Sequence, residues 1–195
     1  MNLREQIEET FGRWLEQIRS ESLKNQVVDT WELGCQRGNW ESMRDVAAMP
    51  FSLLIDCRGI GFIEHTLCVT EGAAALAAAQ EKNYRNMPYA VNRDHLVAGG
   101  LLHDVGKLLE IEKDESGAYR KSLSGKRLRH PISGAILAAE CGVPESVVHI
   151  IACHAKEGEG RPKQVETVLI HQADFATFDP LTLIGKKMLI QDNTE

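Results

Sequence analysis

Leu3, Ile7, Phe11, Leu15 and Ile18, and then Val27, Val28 and Trp31, recur at helical spacing with Glu, Gln and Arg between them. That period predicts one or two amphipathic helices. Their apolar stripe either closes over the chain's own core or pairs with another subunit, and packing within the chain is the simpler expectation. Gly34, Gly38 and Asn39 interrupt the pattern, and Trp40 to Met49 reads as a further helix stopped by Pro50.

Phe51 to Ile55 is apolar, with Gly59 and Gly61 bracketing a turn. Phe62 to Lys82 is Ala-rich and strongly helix-forming. It places His65 on one face with Val69, Gly72, Ala73 and Leu76, small enough for another helix to approach closely. Asn92 is a suitable N-cap for a helix over Arg93 to Val105, apolar almost all round and therefore buried, which ends on His103 and Asp104. Glu112 to Arg127 is polar and reads as a surface loop or short hairpin. Pro131 opens a helix that runs to Cys141 and stops at Gly142, and Pro144 occupies a first-turn position for Glu145 to His154. After a break at Gly158 to Pro162, Val165 to Phe178 forms the last strong helix, carrying His171 and Asp174. The alternation that strands need is nearly absent, so the chain reads as an all-α helical bundle.

The chemistry is concentrated in Gly99 to Leu109, where an apolar run carries His103-Asp104, then Gly106 and Lys107. Burying two polar side chains among leucines costs several kcal/mol unless each finds a strong partner. A divalent metal is such a partner for neutral imidazole and carboxylate. His65, His103-Asp104, His130, His154 and Asp174 follow in order, each in or at the start of an expected helix. About one helix and one loop separate successive members, the length a chain needs to return to a common centre. One histidine on an apolar helix is ordinarily a hydrogen-bonded core residue. Four histidines and two aspartates in this order are better explained together, as ligands. Of the rest, His95 reads as a surface or helix-start residue, and His149 should point elsewhere. His171, one turn before Asp174, is placed to orient that carboxylate.

This pattern resembles the HD-domain superfamily of metal-dependent phosphohydrolases, in the variant with a full His…His-Asp…His…His…Asp set. The likeness is carried by Glu64-His65-Thr66, Leu101 to Lys107, His130-Pro131 and Ala173-Asp174. It implies a compact bundle of the HD type over about residues 60–180, with extra N-terminal helices over about 1–50, in a single domain of 1–195. It also implies two divalent metal ions, Fe or Mn first and Co, Ni or Zn as alternatives. His65, His103, Asp104 and Asp174 would hold one, and Asp104, His130 and His154 the other. A hydroxide between the ions would act on a small phosphorylated or nucleotide substrate, with Asp104 as the bridge and Lys107 neutralising anionic charge. Lys107 otherwise reads as a cation at a helix C-terminus. Arg161 and Arg58 are weaker candidates for substrate contact.

Two features narrow the resemblance. Ala155 stands where the cyclic-dinucleotide branch carries a second His, and Gly158-Glu159-Gly160-Arg161-Pro162 departs from that branch's Gly-x-Gly-Tyr-Pro. The mixed-valent diiron oxygenase branch, which cleaves C–C or C–P bonds of polyols or phosphonates, uses the same six ligand types and is the alternative reading. A non-catalytic module holding metal only for stability is the third.

Composition changes this picture in three places. A net charge of −6 over 195 residues argues against a nucleic-acid backbone as a general partner and leaves a small anionic substrate. The basic cluster Arg120, Lys121, Lys126, Arg127 and Arg129 reads as a solvated loop rather than an anion-steering rim. Five cysteines without Cys-x-x-Cys spacing, and no basic-then-apolar leader, fit a reducing cytoplasm, with each Cys a small buried apolar side chain. No apolar run is long enough to span a bilayer. Homo-oligomerisation through the N-terminal helices stays open.

Overall fold

A computed structural model describes residues 1–190. Helix α1 (Leu3–Leu15) begins at Asn2, whose side chain accepts from the Glu5 backbone while the Glu5 carboxylate accepts from the Asn2 N–H. Helix α2 (Glu21–Gly38) is capped by Ser20 and ends on Asn39 in the left-handed region, φ 58°. It runs straight through Gly34, so the interruption expected there falls only at Gly38 and Asn39. Ile7, Phe11, Val27 and Trp31 are fully buried in one core with Leu101, Leu102 and Val105. The apolar stripe of the first two helices is thus used within the chain.

Two tryptophans tie this N-terminal layer to the segment carrying His103-Asp104. Trp31 Nε1 donates to Leu101 O at 3.0 Å, and Trp40 Nε1 donates to Leu108 O at 2.8 Å. Helix α3 (Met43–Ala48) is shorter than the Trp40 to Met49 segment expected, because Ser42 supplies the N-cap and Pro50 follows an extended Met49.

Helix α4 (Phe62–Asn83) buries His65, Val69, Ala73 and Ala77, a strict four-residue stripe. Leu76 falls off that stripe and is 40% exposed, contrary to its expected place. Helix α5 (Arg93–Leu102) is capped by Asn92, as expected, but closes three residues early. Val105 N bonds back to Leu102 O and Lys107 N to Asp104 O, and these i→i−3 contacts make a tight turn of 103–106 before α6 (Lys107–Glu110). Strands β1 (Ile111–Lys113) and β2 (Tyr119–Lys121) form the short hairpin, with Ile111 opposite Lys121, and α7 (Leu123–Arg127) follows.

Helices α8 (His130–Glu140) and α9 (Glu145–Cys153) pack against each other, and α10 (Val165–Gly185) closes the bundle along α4 and α5. Helix α10 passes Phe178, where the sequence reading ends it, and continues through Pro180. The close helix approach expected from the small residues of α4 is that of α10, since a Cβ added at Gly72 would lie 3.4 Å from Ala173 Cβ. The architecture is all-α with one two-stranded hairpin. Cys35 and Cys57 are buried, but Cys68 is exposed and Cys141 and Cys153 are partly so. No described helix is long and apolar enough to cross a membrane.

Candidate metal centre

The tight turn after α5 drives Asp104 into the middle of the bundle, where its side chain is 2% exposed. Its two oxygens face different histidines. Oδ2 lies 3.3 Å from Nε2 of both His65 and His103; Oδ1 lies 3.1 Å from Nε2 of His130 and 3.6 Å from Nε2 of His154. Two groups able to hold a metal ion result, His65–His103–Asp104 and Asp104–His130–His154. Asp174, from α10, joins the first group's edge with Oδ1 3.2 Å from His65 Nε2. All six residues singled out in the sequence therefore meet around one point.

The outer nitrogen of each ring is held by an oxygen. His103 Nδ1 lies 2.7 Å from Gly100 O, and His154 Nδ1 lies 2.8 Å from Ile151 O. A carbonyl only accepts, so these Nδ1 atoms carry the proton and the neutral rings present a lone pair at Nε2. His65 Nδ1 lies 3.2 Å from Thr177 Oγ1, whose own proton goes to Asp174 O at 2.8 Å. His130 Nδ1 donates to Glu110 Oε2 at 3.0 Å. Inward, Nε2 of His65, His103 and His154, with Asp104 Oδ1, have no hydrogen-bond partner despite full burial. Unpaired buried acceptors converging on one point are costly without a cation between them. The donor set fits divalent metal, and outer hydrogen bonds of this kind are what orient metal-binding histidines.

Burial alone would raise the Asp104 carboxyl, but Lys107 and the surrounding rings hold it well below the usual carboxylate range. Burial likewise opposes ionisation of Asp174, and the His65 contact brings it down to about 2. The His130 ring is pushed down chiefly by burial. Lys107 opens α6 rather than closing α5, so its partner is the Asp104 carboxylate, to which Nζ is hydrogen-bonded at Oδ2. His171 does not orient Asp174: its Nδ1 lies 2.6 Å from His154 O and so braces the turn that carries His154.

A cavity of about 630 Å3 opens beside the centre, reaching Asp104, His130 and Asp174. Arg161 and Arg58 do not line it. Arg120, Lys121 and Arg129, assigned to a solvated loop by sequence, do, together with Lys156. Sequence reasoning also missed Glu110 and Thr177. Glu110 is separated from His130 by the hairpin and α7, and no local spacing signals that the two meet.

These observations define a helical protein with a buried histidine–aspartate centre suited to divalent metal at the floor of an open cavity. A family model described as HD domain matches residues 62–176, and the chain belongs to that family. It is 30% identical over 165 residues to the dihydroneopterin 2',3'-cyclic phosphate phosphodiesterase of Methanocaldococcus jannaschii, an alignment covering 83% of this chain and 65% of the relative. It is 40% identical over 76 residues to ribonuclease Y of Acidothermus cellulolyticus, and 33% identical over 91 residues to that of Thermotoga maritima. Those two matches cover 39% and 47% of this chain, and 12% and 15% of the ribonucleases. The chain thus spans less than two thirds of the length of these relatives. No solved structure matches it.

Proposed function

We propose that this chain is a metal-dependent phosphodiesterase or phosphohydrolase acting on a small phosphorylated substrate. The observation that carries the reading is the division of four histidines between the two oxygens of Asp104, which suits two ions bridged by one carboxylate. His65, His103, Asp104 and Asp174 would hold one, and Asp104, His130 and His154 the other. Bound divalent ions supply an activated water and neutralise charge on a phosphoryl group. The His-rich donor set suits Fe or Mn before Mg. Lys107, on the cavity wall beside Asp104, adds a positive charge for the phosphoryl oxygens. Asp104, with Oδ2 bonded to Lys107 and each oxygen facing two histidines, would serve as a shared ligand and not as a free base.

The names of the relatives describe enzymes acting on phosphodiesters, which favours hydrolysis over the oxygenase alternative. The net charge of −6 favours a small molecule over a polynucleotide. Because α1 and α2 share a core with α5, we read the N-terminal extension and the HD core as one domain, and five free cysteines suit a reducing cytoplasm. The test is metal analysis of protein purified without oxygen, followed by a screen of phosphomonoesters and phosphodiesters with Mn or Fe. Two ions per chain and ester turnover, both lost in Asp104→Ala, are expected. An Asp104→Ala protein that keeps its ions and its activity overturns the proposal.

A further inference from the structure

The walls of the cavity differ in chemistry. On the side of His65 and Asp174 they are apolar. Phe51 stacks on His65 with centroids 4.3 Å apart, and Phe178 meets Phe51 edge-on at 6.4 Å. Phe175 also lines the cavity, its ring centroid 4.4 Å from that of His171. Leu53 and Leu54 complete it from a loop whose ends are pinned by the Phe62 N–H to Met49 O bond, 2.8 Å, and by the Pro50–Gly61 bridge. Leu54 is 79% exposed and Leu53 40%, apolar side chains held at the mouth of a polar centre.

The opposite wall, on the side of His130, is cationic but already engaged. Arg120 pairs with Glu112 at 2.9 Å, Lys121 with Glu110 at 3.1 Å and Arg129 with Glu157 at 3.2 Å. Among the described residues, Lys156 is the one cation lining the cavity without a carboxylate partner. Glu112, Glu110 and Glu157 offset the positive charge of this wall, which leaves little net charge there for the further phosphates of a polyphosphate. A single phosphoryl group at Asp104 and Lys107 needs no more than is there, and the apolar wall then faces the rest of the molecule.

We infer that the cavity selects phosphoesters in which one phosphoryl group is joined to a planar, largely apolar ring system, with Phe175, Phe178, Leu53 and Leu54 forming the ring subsite. This rests on the phosphoester reading above. A flat ring gains area and edge-to-face contact against these phenyl groups that a small polar group does not. A volume of about 630 Å3 accommodates one such unit.

The experiment is calorimetric titration of the metal-loaded full chain. Phenylphosphonate and methylphosphonate, which carry the same charge and no scissile ester, are compared first. Adenosine 5'-monophosphate is then compared with the triphosphate, with metal content checked after each run. Phenylphosphonate should bind about tenfold or more tighter than methylphosphonate, and the monophosphate no weaker than the triphosphate. Leu54→Asp should erase most of the phenyl preference, and Leu54→Ser about half; both changes are at an exposed position that folding tolerates. Equal binding of the two phosphonates overturns the ring subsite, and a triphosphate bound tenfold tighter than the monophosphate overturns the selection for a single phosphoryl group. If neither phosphonate binds while metal stays bound, it is the phosphoester reading itself that fails.

Discussion

Glu110 holds His130 with a single oxygen: Oε2 lies 2.7 Å from the His130 backbone N and 3.0 Å from its ring Nδ1. The second carboxylate oxygen is tied to Lys121 at 3.1 Å. One acidic side chain therefore fixes both where α8 starts and which nitrogen of His130 faces Asp104. On the proposed two-ion assignment, replacing it should weaken the ion at Asp104, His130 and His154 and spare the one at His65 and His103. For Glu110→Gln we expect about a 10- to 100-fold loss of affinity for one of two ions. Metal titration checks this, with far-UV dichroism unchanged. Equal weakening of both ions would contradict the assignment.

The same contact sets an acid limit on the metal-free protein. Burial opposes ionisation of Glu110, yet its bonds to His130 bring the carboxyl down to about 2 from an ordinary 4.5. A carboxyl depressed by folding contributes stability above its unfolded value, and that contribution disappears as pH falls from about 4.5 towards 2. Between those limits the wild-type chain should lose on the order of 2 kcal/mol that Glu110→Gln does not. Denaturant unfolding at a series of pH values measures the difference. Parallel curves for the two proteins would show that the contact is not coupled to folding.

The sequence carried the inner histidines and aspartates but not what orients them. His65, Asp104 and Asp174 lie in strongly helical, apolar segments, where periodicity and the cost of burying polar groups make each visible. Glu110 and Thr177 act through contacts spanning 20 and 112 residues, made only once the bundle has closed. His171 shows the opposite error: helical spacing placed it near Asp174, but the fold turns it to His154 O. Element ends were legible where a cap or proline marks them, as at Asn92 and Gly142. They were missed where packing overrides local preference, at Gly34 within α2 and Pro180 within α10.

Divalent metal should stabilise the chain strongly, because buried Nε2 atoms of His65, His103 and His154 have no other partner. An ion present at about 1,000 times its dissociation constant adds roughly 4 kcal/mol. For a chain of this size that corresponds to a rise of about 8–16 °C in melting temperature. His103→Ala should lose most of the rise. Calorimetry with and without Mn, on both proteins, is the check, and an unchanged melting temperature in the wild type would argue against a metal centre.

Gly106 lies where the turn bearing Asp104 meets the start of α8. A Cβ there would stand 2.1 Å from His130 O and 2.6 Å from Gly134 N, both backbone atoms that no rotamer change can move. Its own backbone is ordinary, φ −63°, so the requirement is close approach and not unusual torsion. Gly106→Ala should push α8 away from the turn, costing about 1–3 kcal/mol from overpacking. It should also separate His130 from Asp104 Oδ1, now 3.1 Å away. The two effects can be told apart. Gly12→Ala, at a helical position where an added Cβ meets nothing within 4 Å, should be neutral or stabilising and leave both ions bound. Gly106→Ala should lower stability and lose the ion on the His130 side first. If Gly106→Ala binds both ions with wild-type affinity, the contact between this turn and α8 does not set the geometry of the centre.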